Sequence, residues 1–186
     1  MSTTSIQLST AEARRVTVID SSIAVFSQSG YLGTPVTAVA EHAHISPAYV
    51  FKLFPSKESL FVAALDRCFA RIEEALGRGA AASSSQKPAA ILDSMGGAYA
   101  DLIADRALLM LQVHALSAAH VPEIGAALRN GLERITTFTK TRSRASDADV
   151  QRFIAYGQLC HLIVTAGLEN ISADWARLLT DGIRHP

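Results

Sequence analysis

Thr34-Pro-Val-Thr-Ala-Val-Ala-Glu-His-Ala-His-Ile-Ser-Pro-Ala-Tyr-Val-Phe-Lys-Leu-Phe-Pro-Ser-Lys57 carries two helix starts of one design. Thr34 before Pro35, and Ser46 before Pro47, each set a hydroxyl N-cap ahead of a proline at the first helical position. The missing N–H costs nothing there, and the fixed φ already suits a helix. Between the two starts there is room for about two turns of helix and a tight turn. Val36, Val39, Ala40 and Ala43 make one face of the first helix; Val50, Leu53 and Phe54 make the inner face of the second. Ala40 falls where the helices cross, and Ile45 plugs the gap beneath the turn. His44 takes the turn position that calls for positive φ, where histidine is among the few enriched non-glycine residues. The pattern predicts a helix-turn-helix whose second helix presents Pro47, Ala48, Tyr49 and Lys52 outward. The alternative is any short, well-capped helical hairpin.

The chain of 186 residues is long enough for a sizeable core, and 49% hydrophobic against 18% charged residues mark a globular protein. Lys+Arg 17 against Asp+Glu 17 gives no net charge. A nucleic-acid binder usually carries a basic balance, so the global charge argues against one. If the module does bind DNA, few phosphate contacts come from charge, and hydroxyls and helix N-termini must do more of the positioning. In residues 1–57 four cations (Arg14, Arg15, Lys52, Lys57) stand against three anions (Glu12, Asp20, Glu41). Cys68 and Cys160 each lie in a helical pattern, with neither disulfide framework nor metal-ligand spacing, and read as buried, reduced thiols. No apolar run approaches the roughly 18 residues needed to cross a bilayer, and the first ten residues lack a signal-peptide pattern. The expected setting is cytoplasmic, with no membrane.

In chain order the pattern is helical throughout. Residues 1–8 read as a disordered tail, and Ser9 with Glu12 has capping-box spacing for a helix whose apolar positions are Val16, Ile19, Ile23 and Phe26, broadened by Val18 and Val25. Gly30 and Gly33 end it. Arg14 and Arg15 in its first turns oppose the helix dipole, which suits an anionic neighbour or an ordinary solvated pair. A fourth helix runs over 57–76, and residues 77–88, rich in glycine, alanine and serine, read as a flexible loop. Further helices follow: one along Ile91–Ile103 interrupted by Gly96-Gly97, a nearly all-apolar one over Ala107–Ala119 that should run through the middle of the domain, and one from Pro122. Another spans Val150 to Glu169 with two apolar faces, and the last spans Asp174 to Gly182. The expected fold is all-α, about nine helices. Residues 1–56 form a three-helix DNA-binding domain, and 57–186 form an effector-binding and dimerisation domain.

Arg15, Phe26, Gly30-Tyr31, Thr37, Val39-Ala40, Ile45-Ser46 and the run Phe54-Pro55-Ser56-Lys57-Glu58-Ser59-Leu60 stand in an order and spacing that resembles the DNA-binding domain of TetR-type transcriptional regulators. The resemblance covers about a third of the chain. It implies a homodimer that binds near-palindromic operator DNA and lets go when a small molecule enters the helical body. It places Pro47, Ala48, Tyr49 and Lys52 against the major groove and Thr37 and Lys57 on phosphate, with Ser46, the cap of that helix, counted among the DNA-binding residues. The chain departs from the family's pattern at Phe51, where a tyrosine hydroxyl is usual, at Leu53, where a polar residue is common, and at Tyr49, where a small polar residue is usual. These departures bear on operator sequence and affinity.

For the body, Met95, Tyr99, Met110, His114, Ser117, Phe153, Tyr156, His161 and Trp175 are the large or polar-tipped residues on inward-facing stretches, the material of a small-molecule site for a partly apolar effector, or simply of a core. His114 and His120 are six apart and do not share a helical face, so no metal site and no cofactor is expected. Ser117 and His161 lack any oxyanion feature, and no enzyme is expected. The apolar faces of the 150–169 helix and the C-terminal helix suit a homodimer interface. The expected function is that of a ligand-responsive DNA-binding regulator, most simply a repressor. The alternative is a helical adaptor or small-molecule binder whose helix-turn-helix no longer holds DNA tightly, and a relic domain on an enzyme is a third.

Overall fold

The computed structural model describes residues 10–184; the expected tail of residues 1–8 and the Ser9 cap lie outside them. Among the described residues the chain forms nine α-helices, one 3-10 turn and no strand: α1 Thr10–Gly33, α2 Val36–His42, α3 Pro47–Leu53, α4 Lys57–Ala82, α5 Pro88–Ile103, α6 Arg106–Ser117, α7 Pro122–Ser143, α8 Asp147–Ala166, the turn Leu168–Asn170, and α9 Asp174–Thr180. The all-α expectation holds.

Helices α1–α3 pack around Phe26, Val39, Ala40, Val50 and Phe54, all essentially without solvent exposure. The buried face of α1 is centred on Val18, Ser22 and Phe26; Val16, expected inside, is 39% exposed. His44 has φ 55, the left-handed turn the sequence calls for. The start of α3 is also as expected: the Ser46 hydroxyl accepts the Tyr49 N–H at 3.2 Å, with Pro47 at the first helical position. The start of α2 differs. Pro35 has ψ 150 and is itself the cap residue, while Thr34 is buried with its hydroxyl unpartnered. Thr34 has turned inward, so the capping role expected of it is unfilled.

Helix α4 is the spine. It opens on a reciprocal cap in which Ser56 and Ser59 each bond the other's backbone N–H at 3.1 Å. It then runs 26 residues, about 39 Å at 1.5 Å per residue. The expected end at Leu76 and loop over 77–88 are corrected: the helix continues through Gly77–Ala82, and only 83–87 lie between α4 and α5. The glycines survive in a helix because α5 crosses there. A Cβ on Gly79 would stand 2.5 Å from the Ser94 carbonyl oxygen. Packing overrides the roughly 1 kcal/mol that glycine costs a helix.

Around α4 stand α5, α6 and α7, and α8 packs on α5, α6 and α7. Gly96-Gly97 neither kinks nor breaks α5. Helix α6 touches α1, α4, α5, α7 and α8, so it does run through the body, although Leu116 at its end is 48% exposed. Ser146 caps α8 at Asp147, three residues before the expected start, and Gly167 in the left-handed conformation stops it after Ala166. Helix α9 ends at Thr180, two residues short of expectation. One hydrophobic core runs unbroken from Val18 and Phe54 through Phe61 and Leu65 to Leu108, Ile124 and Ile135. Among the described residues no helix is long and apolar enough to cross a membrane.

Candidate functional site

The outward side of α3 carries Pro47, Ala48 and Lys52, all exposed, and Tyr49, half-buried, with the Lys52 ammonium 6.0 Å from the Tyr49 ring centre. Ser46 and Thr37 are exposed beside them, and Phe51 is 48% exposed on the same short helix. These side chains converge on one face because Val50 and Phe54 anchor the opposite one in the core. Arg15 is used from within: Nη1 donates to the Leu53 carbonyl at 2.8 Å, and the guanidinium lies 4.2 Å from the Phe54 ring centre. It ties α1 to the end of α3 rather than meeting an outside anion. Arg14 is exposed.

Lys57, at the first turn of α4, lies 4.8 Å from the Tyr31 ring centre, and partial burial lowers its pKa. The Tyr31 hydroxyl donates to Glu58 Oε1. That bond pushes the Tyr31 pKa up to about 12 and holds the Glu58 carboxyl below its usual value. The Tyr31 ring also meets Phe61 edge-on at 5.6 Å, and Phe26 meets Phe61 at 4.9 Å. The α1 end and the α4 start are therefore fixed to each other on the face where Lys57 emerges.

In the body, a half-enclosed cavity of about 360 Å³ opens between α4, α5, α7 and α8, with Gln112 of α6 at its inner side and Gly182–Arg184 at its rim. Phe69, Ile72, Leu76, Leu92, Leu132 and Ile135 give it apolar walls. Glycines let the helices close on it: a Cβ on Gly96 would touch the Phe153 ring at 3.7 Å, one on Gly157 would touch the Tyr99 ring at 3.7 Å, and Gly97 lies beneath the Arg184 guanidinium. The inner polar groups are Tyr99, Gln112 and Cys160. The Tyr99 hydroxyl pairs with His161 Nε2 at 2.8 Å. Burial pushes the Tyr99 hydroxyl's pKa up, lowers that of His161 to about 4, and raises that of the Cys160 thiol. All three are neutral near pH 7. His161 Nδ1 is buried without a partner.

Of the nine body residues singled out from sequence, Tyr99, Phe153 and Tyr156 line this cavity, and His161 stands one hydrogen bond behind it. Five do not line it. Met95 is wholly buried in the core, and Met110 packs on Ile103, Leu109, Cys160 and Val164. His114 lies against Gly30 of α1; Ser117 is exposed and donates to the His114 carbonyl; Trp175 is 56% exposed. Sequence reasoning missed Gln112, Asp93, Arg152 and Arg184, and read Gly96-Gly97 as a kink or close crossing without assigning it to a site. The one available signal was that glycine pair, since two glycines retained in a helix imply a close neighbour.

Module and body together define an all-helical helix-turn-helix protein. Residues 18–64 match the family model of bacterial regulatory proteins, tetR family. The HTH-type transcriptional repressor KstR of Mycolicibacterium smegmatis is 38% identical over 72 residues, 39% of this chain. That match spans about a third of the curated relative, 35% of its length. A TetR-like transcriptional regulator from Rhodococcus sp. RHA1 shares the fold with a TM-score of 0.66 at 24% identity, over 93% of this chain and 94% of that one. FadR of Bacillus subtilis, solved in complex with stearoyl-CoA, shares it with a TM-score of 0.70 at 15% identity, over 90% and 98%. The family match thus covers the helix-turn-helix module at residues 18–64, and the solved structures share the fold of the chain.

Proposed function

We infer that the protein is a ligand-responsive transcriptional regulator, a homodimeric repressor that releases operator DNA when a small molecule occupies the body cavity. The observation that carries this reading is α4. One unbroken helix starts beside the candidate DNA face at Lys57 and forms a cavity wall at Phe69, Ile72 and Leu76. A ligand that reshapes that wall acts on the helix that holds the module.

In this reading residues up to 56 form the DNA-binding domain, with Tyr49, Lys52, Pro47 and Ala48 in the major groove. Ser46, Thr37 and Lys57 serve as cap and phosphate contacts. Two copies place their α3 helices in successive major grooves about 34–36 Å apart. The second copy covers the exposed apolar residues Leu162 of α8 and Trp175 and Leu178 of α9, of which Leu178 is 80% exposed. KstR is named a repressor and FadR was solved with an acyl-CoA, which supports the class of function but does not transfer either partner to this chain.

A second reading is favoured by Phe51, an apolar ring half out of the recognition helix: a helical adaptor that meets protein through α3. Binding of the purified protein to DNA around its own gene, at two salt concentrations, separates the two. Selective binding that weakens steeply with salt supports the regulator; weak, unselective binding at both salts leaves the adaptor.

A further inference from the structure

The charges at the cavity mouth are already matched. Arg152 pairs with Asp149 at 3.1 Å, and Arg184 stands 4.0 Å from Asp93, both pairs open to solvent. Among the described lining residues every cation thus has a carboxylate beside it and every carboxylate a cation. The inner end offers only neutral groups: the Tyr99 hydroxyl, the Gln112 carboxamide, the Cys160 thiol, which donates to the Arg184 carbonyl at 3.4 Å, and, behind them, the His161 imidazole. Gln112 Nε2 is used by the Leu108 carbonyl at 3.1 Å. The Tyr99 hydroxyl bonds His161 and also meets the Gln112 side chain, whose hydrogen bond works against the burial that raises the phenol's pKa. A phenol both donates and accepts, and its oxygen has a second lone pair, so capacity for a ligand remains.

The histidine makes that capacity reversible. With the proton on Nδ1, Nε2 accepts from Tyr99 and the phenol oxygen is left to accept from a ligand. With the proton on Nε2, the imidazole donates to Tyr99 and the phenol proton is left to donate to a ligand. Nδ1 has no partner of its own that would fix either tautomer. An ionised ligand group would have to shed its water against apolar walls with no opposite charge to meet it.

We propose that the cavity takes an uncharged, largely apolar molecule whose single oxygen function, a hydroxyl or a carbonyl, is read by the Tyr99–His161 pair. This deepens the effector reading above and rests on it. It separates the chain from its fold neighbour FadR, whose solved ligand, stearoyl-CoA, carries phosphates.

The test uses three matched probes with the full chain near pH 7.5: 2-naphthol, naphthalene and 2-naphthoate, with affinities read by fluorescence or calorimetry. Expected is 2-naphthol tightest, naphthalene about three- to tenfold weaker for the loss of one hydrogen bond, and 2-naphthoate weakest. Tyr99→Phe should bring 2-naphthol down to the naphthalene value and leave naphthalene itself unchanged, which also certifies that the variant is folded. Binding of 2-naphthoate as tight as 2-naphthol would overturn the neutral-ligand assignment. A Tyr99→Phe protein that keeps its preference for 2-naphthol would overturn the role of the pair, and binding of none of the three would overturn the cavity as a site. Operator binding is followed in the same samples. DNA held equally with and without bound 2-naphthol would count against the regulatory reading while leaving the ligand assignment standing.

Discussion

The His114 imidazole of α6 lies against the bare Cα of Gly30 in α1: a Cβ built on that glycine would stand 2.9 Å from Nδ1. Gly30 has φ 68 and ψ −176, a conformation essentially closed to other residues. Body and helix-turn-helix module thus meet at a point where only glycine fits. Gly30→Ala should cost at least about 2 kcal/mol in unfolding free energy from backbone strain alone. Part of the loss comes from the clash, so His114→Ala in the same chain should return about 1 kcal/mol, as a double-mutant cycle in denaturant reads it. Strict additivity would mean the two residues do not press on each other.

On the recognition face, Lys57→Ala should weaken binding to all DNA sequences and reduce the salt slope by about one. Tyr49→Ala should instead change which base pairs are preferred. Fluorescence anisotropy against a randomised operator set measures both, and an unaltered preference in Tyr49→Ala would take that ring out of the groove.

Phe69 packs over Gly131 of α7 so closely that a methyl there would overlap the ring. Gly131→Ala should destabilise by about 1–3 kcal/mol through overpacking. Because Phe69 also walls the cavity, the displaced ring should weaken 2-naphthol binding. Unchanged stability and unchanged probe binding would place the ring elsewhere.

Stability should fall as acid is added below pH 6.5, and His161 gives the reason. Its folded pKa of about 4 lies below the unfolded 6.5 because burial disfavours the cation. Between those values the unfolded chain binds the proton and the folded chain does not, so the stability present above pH 6.5 drains away as pH falls towards 4. The full loss is about 3 kcal/mol at 1.36 kcal/mol per unit. The depressed carboxyls Glu58 and Asp147 act lower, losing their contribution only as pH falls from their unfolded values of 4.5 and 3.8. Asp66, raised by burial, works the other way above 3.8. His161→Gln keeps a partner for Tyr99 and should flatten melting temperature against pH between 6.5 and 5. An equally steep profile in that variant would assign the loss to other groups.

The helix-turn-helix was legible because its signals are local: a cap and a proline at Ser46-Pro47, a turn at His44, and apolar spacing within seven residues. The same local rule misled at Thr34, whose hydroxyl turned into the core while Pro35 took the cap. Glycines 77 and 79 read as a loop because intrinsic propensity was all the sequence offered, and the crossing of α5 that keeps them helical is a tertiary fact. The cavity was only partly legible for the same reason. Helical periodicity marked Tyr99, Phe153 and His114 as inward, but could not tell a residue facing the gap between α5 and α8 from one facing α1. Arg184 gave no signal at all, because it reaches the rim from beyond the last helix.

The unbroken core from Val18 to Ile135 bears on how such a chain is tuned over generations. Phe61 and Leu65 are as much part of the module's interior as of the body's, so neither half has a complete interior when separated from the other. Grafting the first 56 residues onto an unrelated body would bare that seam, and the graft would need new partners for Phe26 and Phe54. In the regulator inferred above, the same continuity means that the balance between holding and releasing conformations would be weighted by the side chains along the seam. For such a regulator, changes of a methyl group far from both cavity and DNA face would reset the concentration at which a signal is heard, leaving what is sensed and what is bound as they were.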